Sequence, residues 1–422
     1  MIRVCMFLLL LSGLPGLAAA YPLDGFEETG ISRLEGYRLA QQGRVAGNRL
    51  PAGALLGQAQ VQLHPAIAAG DLLRFSDAQL TAELVALLGA DAGDYSVSLL
   101  DLTDPARPRY AEHNGLQIRN PGSVGKLLVA LALFQALADI YPDDLAARER
   151  VLHDSMIVAD EFIRSDHHTV PFWQPEPMRL LKRPLVEGDT ANYWTWLDWM
   201  LSASSNAAAS MVFKHVMLLR HFARSYPVSP AQQRAWFSQT PKQELSAALR
   251  SALQEPLARN GLDPDQLRQG GFFSREGKRR VPGTNSICTT RELMRYLLLL
   301  ERGKLVDAWS SRQLKRLLYM TERRIRYASS PALSPAAVYF KSGSFYKCKA
   351  EAGFVCRKYQ GNALNLMNSV AIIESPAGAP RRHYMVTVTS NVRKQNSAVA
   401  HQTLATRIDA LIEGLHPAAA SQ

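Results

Sequence analysis

Cysteine is scarce in this chain, with four residues in 422. That scarcity excludes a small scaffold held together by disulfides. No cysteine sits in a nucleophile context, so a papain-like thiol mechanism is disfavoured as well. There is no internal repeat and no low-complexity tract, which removes solenoids and disordered tails. No His-Glu-x-x-His spacing occurs, so the usual helix-borne zinc motif is missing. Beyond the N-terminus no second stretch of about 18 apolar residues, the length a membrane span needs, is expected. Of the residues present, 47% are hydrophobic and 20% charged, the balance of an ordinary globular protein.

The first twenty residues have their own character. Arg3 precedes the apolar run Val4 to Leu11, and Ala18, Ala19 and Ala20 fit a small-residue cleavage site. Residues 1–20 are therefore expected to be a signal peptide, with Tyr21 opening a mature chain that is periplasmic or secreted and has no stable membrane anchor. The formal charge of +11 loses only Arg3 with the leader. The remaining basic residues are scattered, so they read as solvated surface, and no nucleic-acid partner is expected. Oligomeric state is not legible. Cys5 leaves with the leader. Cys348 and Cys356 lie eight apart in a polar loop and can close a disulfide ring in an oxidising compartment. Cys288 reads as a small buried hydrophobe.

Residues 21–75 are rich in Gly, Pro and loop formers and form an N-terminal extension, while residues 76–416 carry the pattern of a catalytic domain. Helical spacing runs from Phe75 to Leu88, with Ser76 as N-cap. Tyr95 to Leu102 and Arg109 to His113 read as a hairpin across Asp104-Pro105. Pro121-Gly122 breaks the chain before an apolar helix, Val124 to Ala138. Tyr193 to about Met217 is a buried helical stretch containing Trp194, Trp196 and Trp199. Thr289 to Glu292 has the form of a capping box opening a helix that stops at Gly303. A further helix runs from Ser310 to Met320. Short strands follow at Val338–Lys341, Ser369–Glu374 and His383–Ser390, and Val399 to Leu415 closes the chain as a helix. This order predicts an α/β chain of the α+β type. An antiparallel sheet is built from both chain ends with flanking helices, and an all-helical domain is inserted between them.

Three short motifs carry chemistry. Ser123 and Lys126 stand at i and i+3 on one face of the apolar helix. A serine becomes a useful nucleophile when a base removes its proton, and a buried lysine has the lowered pKa that this requires. Ser204, Ser205 and Asn206 interrupt the Trp-rich pattern, which also suits an exposed turn between helices. Lys341, Ser342 and Gly343 end a β-prone run, which also suits a surface strand end.

Together and in this order the motifs resemble the Ser-x-x-Lys, Ser-x-Asn and Lys-[Thr/Ser]-Gly set of class A β-lactamases and penicillin-binding serine hydrolases. The stretch from Asn285 to Met294 resembles the class A segment that leads into a helix ending at Gly. The resemblance implies that Ser123 is the nucleophile and that Lys126 helps deprotonate it. It implies that Ser204 relays a proton to the leaving nitrogen and that Asn206 holds the substrate amide and Lys126. Lys341 would act with the catalytic set, adding positive charge near Ser204 and the substrate carboxylate. Ser342, Gly343 and Ser344 would bind the substrate, with the Ser342 hydroxyl donating to that carboxylate and the N–H groups of Ser123 and Ser344 forming an oxyanion hole. The implied substrates are β-lactams or D-Ala-D-Ala-like cell-wall peptides, with no cofactor and no metal. An esterase or D,D-peptidase of the same fold, or an envelope-binding protein without turnover, are the alternatives. The chain departs from the pattern at Ser205, where class A carries Asp, and the intervals between motifs are long. It also lacks a Glu-x-x-Leu-Asn loop to supply a deacylating base. A second polar cluster, His153, Asp160, Glu161, Asp166, His167 and His168, reads as structural or as substrate rim rather than a metal site.

Overall fold

The computed structural model describes residues 24–321 and 324–417. The expected leader lies outside them. Five strands form one antiparallel sheet: β1 Tyr95–Asp101, β2 Arg109–His113, β3 Ala337–Lys347, β4 Leu364–Ser375 and β5 Arg382–Ser390, in the order β2-β1-β5-β4-β3. Both chain ends therefore supply the sheet. Every residue of β1 is buried, because helices cover both of its faces. Side chains alternate along a strand. Val97 and Leu99 consequently enter one core layer with Leu84, Leu404 and Ile408, while Leu100 enters the other with Leu127, Ile372 and Met385.

That second layer surrounds the helix Lys126–Ile140, in which Lys126 through Leu137 are all buried. A helix apolar all round belongs inside a protein or a membrane. By length and composition, Gly122–Ile140 is apolar enough to cross a membrane, which corrects the expectation that no such stretch follows the leader. Here it is the central core helix. The inserted region is mainly helical and carries three two-stranded ribbons: Met156–Val158 with Thr190–Asn192, Thr169–Gln174 with Arg179–Pro184, and Leu267–Arg268 with Ile287–Cys288.

Several local expectations need correction. The first helix of residues 76–416 is Ala78–Leu88, and its cap is Asp77, whose carboxylate accepts from the Leu80 N–H; Ser76 lies one residue outside. The Trp-rich stretch is two helices, Tyr193–Leu201 and Asn206–Phe222, broken at Ser202–Ser205. Thr289 caps its helix, but the reciprocal half of the capping box is not formed: the Glu292 carboxylate takes the Asp263 N–H instead. Strand β3 continues to Lys347, well past Lys341, because its outer half pairs with β4. Residues of the N-terminal extension enter the main core, with Ile31 and Leu34 fully buried.

Candidate active site

Ser123 lies in a single 3-10 turn, Gly122–Gly125, that runs directly into the core helix. Gly122 makes this turn possible by adopting φ 53°, a conformation L side chains rarely take. Lys126 begins the helix proper and is fully buried. Its Nζ lies 3.0 Å from Ser123 Oγ, 2.8 Å from Asn206 Oδ1, 2.7 Å from the Ser204 carbonyl and 3.4 Å from Ser204 Oγ. Burial pushes the Lys126 pKa down to about 7; the Asp166 charge opposes the fall and the Arg326 charge adds to it. Phe273 covers the amine, its ring centroid 5.1 Å from Nζ.

The break between the two middle helices presents Ser204. Its φ of 61° is strained for a non-glycine residue, a conformation that costs about 1–3 kcal/mol and clusters at functional sites. Ser205 Oγ caps the second helix by accepting from the Ala208 N–H. Asn206 is the first residue of that helix, so its amide is carried on a rigid element. From the sheet side, Lys341 Nζ reaches Ser204 Oγ at 2.8 Å and the Ser342 carbonyl at 2.9 Å. Burial, with Lys126 and Arg326 nearby, holds Lys341 well below the usual lysine range. Strand β3 passes so close to the Ser123 turn that a Cβ on Gly343 would stand 2.5 Å from the Ser123 nitrogen. A Cβ on Gly122 would stand 3.3 Å from the Ser344 nitrogen, so the two N–H groups expected to bind an oxyanion flank the same turn. All three motifs thus converge on one cleft.

That cleft encloses about 470 Å³, and Ser123, Ser204, Asn206, Lys341, Ser342 and Ser344 line it. It also holds residues that no motif spacing pointed to. Arg326, at φ 56°, donates to Ser342 Oγ and Ser344 Oγ at 2.9 Å each and to Tyr359 Oη at 3.2 Å. Its Nε is buried without a partner. Among the described residues no carboxylate lines this cleft. A second chamber of about 530 Å³ opens on the other side of Ser123 and Asn206, walled by Gln269, Gly271, Phe272 and Phe273. It too has no carboxylate among its described lining residues. Glu255 is engaged by Ser251, and Glu276 by Arg279 and Arg280.

The departure at position 205 has a structural counterpart. Asp166 Oδ2 accepts from Ser205 Oγ at 2.9 Å and from the Ala207 N–H at 2.8 Å, so a carboxylate from the inserted region caps the helix that carries Asn206. Burial works against this charge. The bonds from His168, Ala207 and Ser205 nevertheless hold the group well below the ordinary carboxylate range. His167 and His168 line the cleft. The rest of that polar cluster is engaged elsewhere: Asp160 with Lys214, Glu161 with Arg280, and His153 with Asp154. The His/Glu group with ligand-like spacing is a different one, His64, Glu301, Glu374 and His383. It already surrounds a cation, because Lys315 Nζ donates to Glu301 at 2.6 Å and Glu374 at 2.7 Å. Cys348 and Cys356 are joined beyond the end of β3, in the loop that returns to Tyr359.

No family model matches the chain, and no curated protein matches it. Solved structures do. A β-lactamase from Sphaerobacter thermophilus superposes with a TM-score of 0.51 at 15% identity, over 80% of this chain and 99% of that one. The TLA-3 extended-spectrum β-lactamase gives 0.52 at 13% identity, over 80% and 98%. A mutant of the class A β-lactamase of the last common ancestor of Gram-negative bacteria gives 0.50 at 18% identity, over 81% and 100%. The chain has the β-lactamase fold.

Proposed function

We propose that this protein is an exported serine hydrolase that forms an acyl-enzyme on Ser123, acting on β-lactams or on D-Ala-D-Ala-like cell-wall peptides. The observation that carries the reading is the buried Lys126 amine, 3.0 Å from Ser123 Oγ with Ser204 and Asn206 as its other partners. A lysine pKa near 7 leaves a large neutral fraction at physiological pH, and only the neutral amine accepts a proton.

In this mechanism Lys126 takes the proton of Ser123 as Oγ bonds to the carbonyl carbon. The Ser123 and Ser344 N–H groups receive the developing oxyanion, in the kind of preorganised site that usually supplies the largest catalytic contribution. The proton then passes by way of Ser204 Oγ to the leaving nitrogen as the C–N bond breaks, and Lys341 supports the Ser204 hydroxyl from 2.8 Å. Arg326, with the Ser342 and Ser344 hydroxyls beside it, supports a substrate bearing a carboxylate, because planar guanidinium groups recognise carboxylates well. The Cys348–Cys356 bond fits an oxidising compartment and so supports export. The lack of a carboxylate among the second chamber's described lining residues favours slow hydrolysis of lactam adducts over β-lactamase turnover.

Intact-mass spectrometry after mixing with benzylpenicillin tests the reading. A penicilloyl adduct is expected within seconds on the parent and never on Ser123→Ala. An unlabelled parent, or labelling that survives in the alanine variant, rejects it.

A further inference from the structure

The acylation parts described above leave one step without a base: removal of the proton from whatever molecule takes the acyl group off Ser123. The second chamber offers no carboxylate for it among its described residues. The first cleft offers a different group. His168 Nδ1 lies 2.6 Å from Asp166 Oδ1. An ionised carboxylate only accepts, so Nδ1 carries the proton; in the neutral imidazole the lone pair is then on Nε2. Nε2 has no hydrogen-bond partner among the described residues, and His168 lines the same cleft as Ser123, Ser204 and Asn206.

Asp166 is held rigidly enough to orient it. Its two oxygens accept from Ser205 Oγ, the Ala207 N–H, the His167 N–H and the His168 ring. Two of these partners flank Asn206, so the dyad is referenced to the catalytic helix itself. A base held by a third group and opening onto the nucleophile's cavity is the arrangement by which acyl-transfer enzymes activate a hydroxyl or a water.

We propose that His168, positioned by Asp166, is the general base that activates the acyl acceptor in deacylation; this rests on Ser123 forming the acyl-enzyme. The acceptor, a water or an amine, enters the volume vacated by the leaving group on the Ser204 side. Its oxygen or nitrogen bonds to the acyl carbon while its proton passes to His168 Nε2. The tetrahedral intermediate collapses as the C–Oγ bond breaks. The proton returns to Ser123 Oγ by way of Ser204 and Lys126, leaving both bases neutral and the product acid or amide free. A linear acyl donor, whose leaving group diffuses away, opens this volume. A β-lactam, whose leaving amine stays tethered to the acyl group, keeps it filled. The site is thereby suited to linear carboxylate-terminated peptides or esters as turnover substrates, with lactams as adduct formers.

The experiment follows the decay of the acyl-enzyme made from a linear N-acyl-D-alanyl thioglycolate by intact mass, with benzylpenicillin labelling of Ser123 run in parallel. His168→Gln and His168→Ala are expected to slow decay by about 10²-fold, the usual low end for a general base, while Ser123 still forms its penicilloyl adduct. Added imidazole is expected to restore decay in His168→Ala and not in His168→Gln, a rescue that a structural histidine does not show. Asp166→Asn is expected to slow the parent but to add nothing on top of His168→Ala. Decay that is equally fast without His168, an adduct that persists in the parent, or failure of imidazole to rescue overturns the dyad. Failure of the parent to label at Ser123 overturns the acyl-enzyme reading instead, so the two failures are distinguishable.

Discussion

Arg33 grips Asp198 through two 2.6 Å bonds, from Nε to Oδ2 and from Nη2 to Oδ1, with both side chains almost fully buried. The same Nη2 donates to Ser202 Oγ and to the Met320 carbonyl. The N-terminal segment is therefore tied to the helix end from which Ser204 projects, and to the end of the Ala308–Tyr319 helix. Removing one partner leaves the other charge buried and unpaired, a loss of about 3–5 kcal/mol. Arg33→Ala is expected to lower the urea midpoint accordingly and to slow Ser123 acylation together with stability. A variant as stable as the parent would show that the N-terminal segment is an accessory.

Much of this site was legible because its motifs lie at helix and strand ends, where short-range chemistry is strong. Pro121-Gly122 forces a turn, Ser123 and Lys126 share one helix face, and Lys341 to Ser344 lie on a strand whose register against β4 fixes them. The hairpin from β1 to β2 was equally plain, since its alternation and its turn agreed. What was not legible came from distant sequence. Asp166 reaches the Asn206–Phe222 helix from the inserted region, and nothing local to Ser205 announces it. Arg326 and Tyr359 meet across 33 residues, both in left-handed conformations that no residue preference predicts. The extension over residues 21–75 looked loop-like because its burial comes from partners elsewhere, as with Ile31 and Leu34.

Acylation is expected to depend on pH through Lys126. Desolvation lowers its pKa to about 7, and the amine must be neutral to receive the Ser123 proton. The second-order rate of penicillin labelling should therefore rise as pH increases through about 7 and level off above it. Lys126→Ala should lose at least about 10²-fold in rate together with this limb. A flat profile between pH 5 and 9, at roughly the range where His and perturbed Lys groups titrate, would mean that another group takes the proton.

Thiol counting separates the three cysteines, Cys288, Cys348 and Cys356, that would remain after removal of the proposed leader. Cys348 and Cys356 are joined, and Cys288 is buried with its thiol pushed up to about 12 by desolvation. The native protein should give no reaction with a thiol reagent at neutral pH, because the thiolate is the reactive form. After denaturation without reductant it should give one thiol. Three thiols would rule out the bridge.

Arg326 should matter for substrates that carry a carboxylate and much less for those that lack one. It donates to Ser342, Ser344 and Tyr359, and the cleft has no carboxylate among its described lining residues to compete for it. Charge-assisted bonds to a ligand are worth about 1.5–3 kcal/mol. Arg326→Ala should then reduce acylation by benzylpenicillin about 10- to 100-fold. Fluorophosphonate labelling, which needs no carboxylate, should fall far less. Equal losses with both probes would make Arg326 a structural residue only.

The last expectation concerns the lifetime of lactam adducts. Acylation draws on Ser123, Lys126, Ser204 and the Ser123 and Ser344 N–H groups, which stand together around one cleft. Hydrolysis of a penicilloyl ester needs a water and a base on the side that the tethered leaving group does not cover. In the proposed mechanism that side is the second chamber, whose described lining, which includes Asn206, Gln269, Phe272 and Phe273, contains no carboxylate. Glu255 and Glu276 are held by Ser251 and by Arg279 and Arg280, away from it. General-base catalysis is worth about 10²–10⁴-fold, so its absence raises the second barrier by roughly 3–5 kcal/mol. In the proposed mechanism His168 does not substitute here, because it lines the first cleft and not the second chamber. The adduct should form in seconds and persist for many minutes, and steady-state nitrocefin hydrolysis should stay far below about 10 s⁻¹, the middle of the usual enzyme range. Turnover above that figure would require a base in the second chamber and would make this protein a true β-lactamase.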